Sequence, residues 1–279
     1  MTGRDPRRFA DFEVTGPLPR GTTLLEASAG TGKTWTIGAL VARYVIDAGV
    51  DLRDILVITF GRAASQELRE RVRQQLVEAE QLLARPDEHR GRDRFGDLLI
   101  GDDPDEVPLR HARARAALAD FDAATIATTH QFCHLVLESL GVAGDTDPAA
   151  TLVEDLDDLT HQVVEDLYLR KYALTEAAAR VTWSAALAVA RAVINDPQAR
   201  IEPRAEPGDT TVGQRVAFAT AVRAELERRK RRLGIIGYDD LLAHLSAALR
   251  EPDAPARQRL RQRWRIVLVD EFQDTDPVQ

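Results

Sequence analysis

Short, almost uninterrupted apolar runs alternate with amphipathic stretches over the first half of this chain. Residues 22–27 and 54–60 are rich in aliphatic and β-branched side chains. The second of these, Asp-Ile-Leu-Val-Ile-Thr-Phe, has the pattern of a strand buried on both faces. Between them Ile37, Leu40, Val41, Tyr44 and Val45 recur at helical spacing, predicting a helix over 34–47 that Gly49 ends. A long helix with its charges to one side is predicted over 63–83, another over 109–119, a third strand over 124–129 and a helix over 130–140. Residues 85–108, rich in Pro, Gly and charge, read as an exposed excursion. Strands that alternate with helices in this way argue for a parallel α/β sheet.

Past Gly141 the pattern changes. Residues 145–158 are acidic and turn-like, and 159–193 look helical without a buried strand. Residues 195–209 hold Pro197, Pro203, Pro207 and Gly208, a linker composition. A long amphipathic helix over 212–233 stops before Gly234, and another follows over 238–249. Only then does a last apolar strand, Ile266 to Val269, arrive. The organisation expected is one parallel-sheet domain built from 1–144 and 226–279, interrupted by an all-helical insertion over 145–225. No internal repeat is evident.

Composition adds bounds. Of 279 residues, 44% are hydrophobic and 29% charged, enough for a sizeable core under a soluble surface. The net charge of −8 gives no bulk attraction for nucleic acid, so a nucleic-acid site would have to be a local patch. No apolar run reaches the about 18 residues of a membrane span, and the charged start lacks a signal-peptide core, so a cytoplasmic location without a membrane partner is expected. Cys133 is the single cysteine, which excludes a disulfide framework and a cysteine metal cluster.

The strongest chemical signal follows the first apolar run. Glu26-Ala27-Ser28-Ala29-Gly30-Thr31-Gly32-Lys33-Thr34 reads as a strand, a glycine-rich turn and the opening of a helix, the P-loop arrangement that cradles nucleotide phosphates. Gly30 and Gly32 let the backbone bend tightly and approach a ligand. The amides of the turn and the helix N-terminus attract an anion. Lys33 would meet the β/γ-phosphates, and the hydroxyl of Thr34 would ligate Mg²⁺. Ala27 stands where the pattern usually has its first glycine, so the loop must enter without a left-handed residue there. The chain prefers arginine almost everywhere and has lysine only at Lys33, Lys171 and Lys230. Lysine after Gly32 therefore fits a position that wants a compact ammonium. Far downstream, Ile266-Val267-Leu268-Val269-Asp270-Glu271 reads as a buried strand that ends in two adjacent carboxylates, able to hold a metal and prepare a water.

Further segments line up with these two: Thr59-Phe60-Gly61-Arg62-Ala63-Ala64 after the second strand, Thr128-Thr129-His130-Gln131-Phe132-Cys133 after the third, Tyr238-Asp239-Asp240 after the insertion, and Asp270-Glu271-Phe272-Gln273-Asp274-Thr275-Asp276-Pro277 after the last. In that order they resemble the first-half motifs of the UvrD/Rep group of superfamily 1 DNA helicases. Within the group the P-loop and Asp-Glu segments are most similar to RecB-type members, the helicase–nuclease subunits of RecBCD (exodeoxyribonuclease V). The resemblance implies a P-loop NTPase of RecA-like fold that uses ATP and Mg²⁺. It implies phosphate contact by Lys33, Mg²⁺ ligation by Thr34 and Asp270, a general base in Glu271 and a γ-phosphate sensor in Gln273. It further implies single-stranded DNA contacts at Thr59, Phe60, Thr129, His130 and Phe132, action at duplex ends in double-strand break repair, and RecC- and RecD-like partners. An AddA-like or UvrD-like helicase, or a nucleotide-dependent interaction module without hydrolysis, are the rival readings.

The family pattern is not met everywhere. Gly61 replaces a threonine common after Thr-Phe, and no glutamine precedes Gln66, so adenine recognition is expected from residues 12–19 or from around Trp35. A second motor domain with its arginine fingers and a nuclease domain are missing from the 279 residues, so this chain alone is expected to bind nucleotide, hydrolyse it slowly and unwind nothing. The basic run Arg228-Arg229-Lys230-Arg231-Arg232 invites a nucleic-acid reading, but with Glu225 and Glu227 beside it a salt-bridged helical face is the simpler expectation. Cys133 is expected as a small buried hydrophobe, and Tyr238-Asp239-Asp240 as a cap.

Overall fold

The structure is a computed structural model that describes residues 11–28, 30–140, 150–153, 155–172, 181–196, 199–204, 210–275 and 279. Its elements in chain order are α1 (Lys33–Ile46), β1 (Ile55–Thr59), α2 (Arg62–Ala84), α3 (Pro86–His89), α4 (Arg94–Ile100), α5 (Val107–Ala119), β2 (Thr125–Thr128), α6 (Thr129–Leu140), β3 (Thr151–Leu152), α7 (Asp157–Tyr172), α8 (Trp183–Asn195), α9 (Thr211–Leu233), β4 (Ile235–Ile236), α10 (Tyr238–Leu249), α11 (Pro255–Arg263) and β5 (Ile266–Val269). Two compact units result, one from Met1–Phe132 with Glu251–Gln279, the other from Cys133–Arg250.

The first unit is built on a parallel sheet of strand order β2-β1-β5. Val57 of the central strand faces Ile126 on one side and Leu268 on the other. Helix α2 lays the stripe Leu68, Val72, Leu76, Ala79 and Leu83 into the core, a spacing of three and four residues that keeps one face inward. Helix α1 contributes Val41, Val45 and Ile46 to the same cluster, and β1 contributes Ile55 and Val57.

One expectation is corrected here. Residues 22–27 form no strand, and Leu24 is 65% exposed. A strand needs a neighbour for its amides and carbonyls. Among the described residues β5 is the edge of the sheet on that side, with Val267 and Val269 open to solvent, so no ladder reaches residues 22–27. Residues 85–108 are largely exposed, as expected, and are ordered into short elements. They hold α3, α4 and a short turn at Pro104–Glu106, and they bury Leu99 and Ile100. Their charges are partly caps. Asp93 accepts a 2.7 Å hydrogen bond from the Gly96 amide to open α4, and Asp103 accepts from the Asp105 amide at 2.9 Å.

In the second unit α7, α8 and α9 pack around Val163, Val164, Ala186, Ala190, Phe218, Val222 and Leu226. The sequence placed the limits of the insertion at 145 and 225. The compact unit runs from Cys133 to Arg250; past 225, Leu226 belongs to its core and the short parallel pair β3–β4 ties the segment after α9 to Thr151 and Leu152. That pair escaped sequence reading because two residues per strand carry no periodicity. Gly234, left-handed at φ 62°, ends α9 as its position predicts. The expectations for 145–149, 173–180, 197–198 and 205–209 fall outside the described residues.

The basic run of α9 is largely spent inside the unit. Arg228 and Arg229 both grip Glu225, at 2.6 and 2.8 Å, and Arg229 reaches Asp166 at 2.5 Å. Those two guanidiniums hold the Glu225 carboxyl down to about 2. Lys230 is buried, pairing with Glu227 and bonding both oxygens of Asp240 at 2.7 and 2.8 Å. Asp240 also accepts from the Gly237 amide at 2.8 Å, which makes it the cap of α10. Among the described residues no helix is long and apolar enough to cross a membrane.

Candidate functional site

The glycine-rich turn and the start of α1 form the first half of the site. Gly30 and Gly32 have φ of 78° and 88°, left-handed values that a Cβ would strain. Between them Thr31 closes the turn by donating its hydroxyl to the Ser28 carbonyl at 2.7 Å. Gly32 caps α1 without any side-chain hydrogen bond, and no acidic residue stands in the first turn. The opening amides of α1 are therefore left to attract an anion. Ala27 is not left-handed, as its identity requires, while Ala29 lies outside the described residues.

The second half stands at the end of β5. Asp270 is 9% exposed, and its amide continues the sheet by donating to the Ile58 carbonyl at 2.8 Å. One carboxylate oxygen accepts from the Glu271 amide at 3.0 Å. Burial, and after it the neighbouring Glu271 charge, push the Asp270 carboxyl above its ordinary range. Glu271 turns the chain sharply, with φ 50° and ψ 42°, and is the one non-glycine residue with positive φ among those described. Its carboxylate is held below the usual range by the Gln273 amide and then by Lys33.

The two halves meet. The Lys33 ammonium lies 3.1 and 3.3 Å from the two carboxylate oxygens of Glu271. About a third of each side chain is exposed, 32% and 34%, so the pair is screened by solvent and opens at little cost. Next to Lys33 is the Thr34 hydroxyl and next to Glu271 the Asp270 carboxylate. The arrangement can take an oxyanion between the helix amides and Lys33. Thr34 and Asp270 are a hydroxyl and a carboxylate of the kinds that a divalent cation takes. Among the described residues no group of three His, Cys, Asp or Glu side chains gathers into a protein-only metal cage. A sparse oxygen donor set completed by phosphate oxygens and water suits Mg²⁺.

The other predicted positions divide. Phe60, Thr129 and His130 are half-buried at the ends of β1 and β2. Phe132 is half-buried too, its ring 5.6 Å from that of the buried Trp264. Thr59, the fifth of the positions expected at DNA, is wholly buried beside Asp270. The burial follows from its inward position on the central strand. Cys133 is buried, and burial pushes its thiol up to about 11. Trp35 is 39% exposed and meets the Phe95 ring edge-on.

Sequence reading missed Arg43. Its buried guanidinium donates to the carbonyls of Val14 and Gly16 at 2.7 and 2.6 Å and to Asp47 at 2.9 Å. Tyr44 adds a hydroxyl bond to the Pro19 carbonyl at 2.8 Å. Together they strap residues 14–19 onto α1. The signal was present in an arginine set within the apolar run Leu40-Val41-Ala42-Arg43-Tyr44-Val45.

Residues 12–279 match the UvrD/REP helicase N-terminal domain family. The RecBCD enzyme subunit RecB of Mycolicibacterium smegmatis is 53% identical over 270 residues, 96% of this chain and 24% of that protein. RecB of Mycobacterium tuberculosis is 52% identical over 271 residues, with the same coverage. The ATP-dependent DNA helicase UvrD2 of Mycobacterium bovis is 29% identical over 266 residues, 94% of this chain and 32% of that protein. The chain thus spans about a quarter of the length of the RecB proteins it matches.

Proposed function

The chain belongs to the UvrD/Rep helicase family through its N-terminal domain, and from this we propose that it is the ATP-binding first motor domain, RecA-like in fold, of a RecB-type DNA helicase. One observation carries the reading: the contact between Lys33 of the glycine-rich turn and Glu271 of the acid pair, which joins a phosphate cradle to a carboxylate able to handle water.

In this reading the amides around residues 28–34 and the Lys33 ammonium bind the β- and γ-phosphates of ATP. Thr34 and Asp270 hold Mg²⁺, which when bound neutralises charge on the phosphate oxygens. The Lys33–Glu271 pair opens as phosphate draws the ammonium away. The freed Glu271 carboxylate would then accept a proton from the water that attacks the γ-phosphorus, while the bond from that phosphorus to the β–γ bridging oxygen breaks and ADP leaves with its electron pair. Gln273, already hydrogen-bonded to Glu271, orients that carboxylate and registers the γ-phosphate. Phe60, Thr129, His130 and Phe132, at the C-terminal ends of parallel strands, are the candidate contacts to single-stranded DNA.

In the whole protein the activity would be 3′-to-5′ unwinding from duplex ends in double-strand break repair, in the cytoplasm, with RecC- and RecD-type subunits as partners. The names of the RecB relatives given above favour this branch, while the UvrD2 match keeps a partner-independent UvrD-type helicase as the second reading. The test is ATP binding and turnover with and without single-stranded DNA, in this chain and in the whole protein that carries it. Turnover that rises with DNA in the whole protein supports the motor. Tight ATP binding with no turnover at any length supports an interaction module and overturns it.

A further inference from the structure

At one end of the sheet three polar residues stand side by side. Thr128 is paired with Thr59 across β2 and β1, and Asp270 follows Val269, the partner of Ile58, on the other side. Paired residues on adjacent strands point to the same face. The Thr128 hydroxyl has its task, accepting from the Gln131 amide at 3.2 Å where α6 begins. Thr59 is 0% exposed, and its hydroxyl has no hydrogen-bond partner. A buried hydroxyl left alone is costly, and packing does not require it, since valine would fill the same volume. The neighbouring acceptor is the Asp270 carboxylate, of which one oxygen is engaged by the Glu271 amide.

We propose that Thr59 is a positioning residue of the nucleotide site: its hydroxyl turns to donate to the Asp270 carboxylate and fixes the orientation in which that carboxylate receives a divalent cation. The inference rests on the nucleotide reading given above. In support, Thr59 already favours the charged form of Asp270, although its hydroxyl does not reach hydrogen-bonding geometry there. This takes Thr59 away from DNA and gives it to the metal side of the site. Outer partners of this kind commonly tune cation affinity, because they fix the carboxylate that does the binding.

The experiment is equilibrium binding of a fluorescent ATP analogue to the 279-residue chain, in EDTA and across a Mg²⁺ titration, with thermal melting as a check on folding. Asp270→Asn should lose the gain in affinity that Mg²⁺ brings. Thr59→Val should bind as the wild type does in EDTA, yet need about tenfold more Mg²⁺ to reach half of the gain, while Thr59→Ser stays within about twofold of wild type. Should Thr59→Val fail to fold, Thr59→Ala against Thr59→Ser makes the same comparison. A wild-type Mg²⁺ titration for Thr59→Val, with Asp270→Asn impaired, overturns the role of Thr59 alone. So does a Thr59→Ser variant as impaired as Thr59→Val. Full Mg²⁺ gain in Asp270→Asn would overturn the nucleotide reading itself.

Discussion

The Lys33 ammonium sits 3.1 Å from the Glu271 carboxylate across a sequence separation of 238 positions. Each group supplies what the other lacks when no phosphate is near. Lysine has no anion to meet, and Glu271 has no water to activate. A contact this exposed contributes little to stability, so its replacement by a phosphate costs little.

Replacing the lysine separates the two uses. Lys33→Ala should weaken binding of ATP by about tenfold or more, the scale of a lost hydrogen bond to a charged group. Its melting temperature should stay near that of the wild type. Titration of a fluorescent ATP analogue reads the first and circular dichroism the second. Unchanged affinity would remove Lys33 from the site.

The carboxylate variant should behave oppositely. Glu271→Gln removes the charge that competes for Lys33 and keeps the shape, so ATP affinity should equal or exceed that of the wild type. Turnover in the whole protein should fall by about 10²–10⁴-fold, the range for loss of a general base. Single-turnover hydrolysis that proceeds at the wild-type rate would contradict the assignment.

The clamp on α9 predicts an acid response. Glu225, ordinarily near 4.5, is held at about 2 by Arg228 and Arg229. The unfolded chain therefore takes up a proton here at a higher pH than the folded one does. The stability this group adds is complete above about 4.5 and is lost as pH falls toward about 2. Urea unfolding from pH 6 down to pH 3 should show the wild type losing more stability than Glu225→Gln, whose loss over that window lacks this contribution. Parallel losses would mean that the clamp does not hold in solution.

Packing can be tested away from the chemistry. Leu76→Ala should cost about 2–5 kcal/mol, since Leu76 is fully buried in the first unit. Leu24→Ser, at a position 65% exposed, should stay within about 0.5 kcal/mol. A large cost for Leu24→Ser in denaturant unfolding would restore the strand expected over 22–27.

What could be read in advance depended on how local the cause was. Strand β5 and helix α10 begin and end where their apolar patterns do, but β5 is not the buried strand its apolar run predicts, since it lies at the sheet edge with Val267 and Val269 exposed. The strand expected over 22–27 did not form because an apolar run cannot tell whether a neighbour exists for it to pair with. The capping roles of Asp93 and Asp103 were not legible, because a capping aspartate differs from a loop aspartate only in what its oxygen meets. The burial of Thr59 was not legible, since the motif that singles it out does not carry burial. The glycines of the turn, Lys33 and the Asp-Glu pair were legible because their chemistry is written in residue type. Their meeting was not, since nothing in residues 33 and 271 taken separately fixes a distance.

Glu271 is held in a left-handed backbone conformation, which costs an L-residue on the order of 1 kcal/mol and glycine almost nothing. A screen of this chain for heat tolerance alone would thus reward Glu271→Gly. Its winners would be sturdier than the parent and would have discarded the group that the proposed motor needs to spend its fuel.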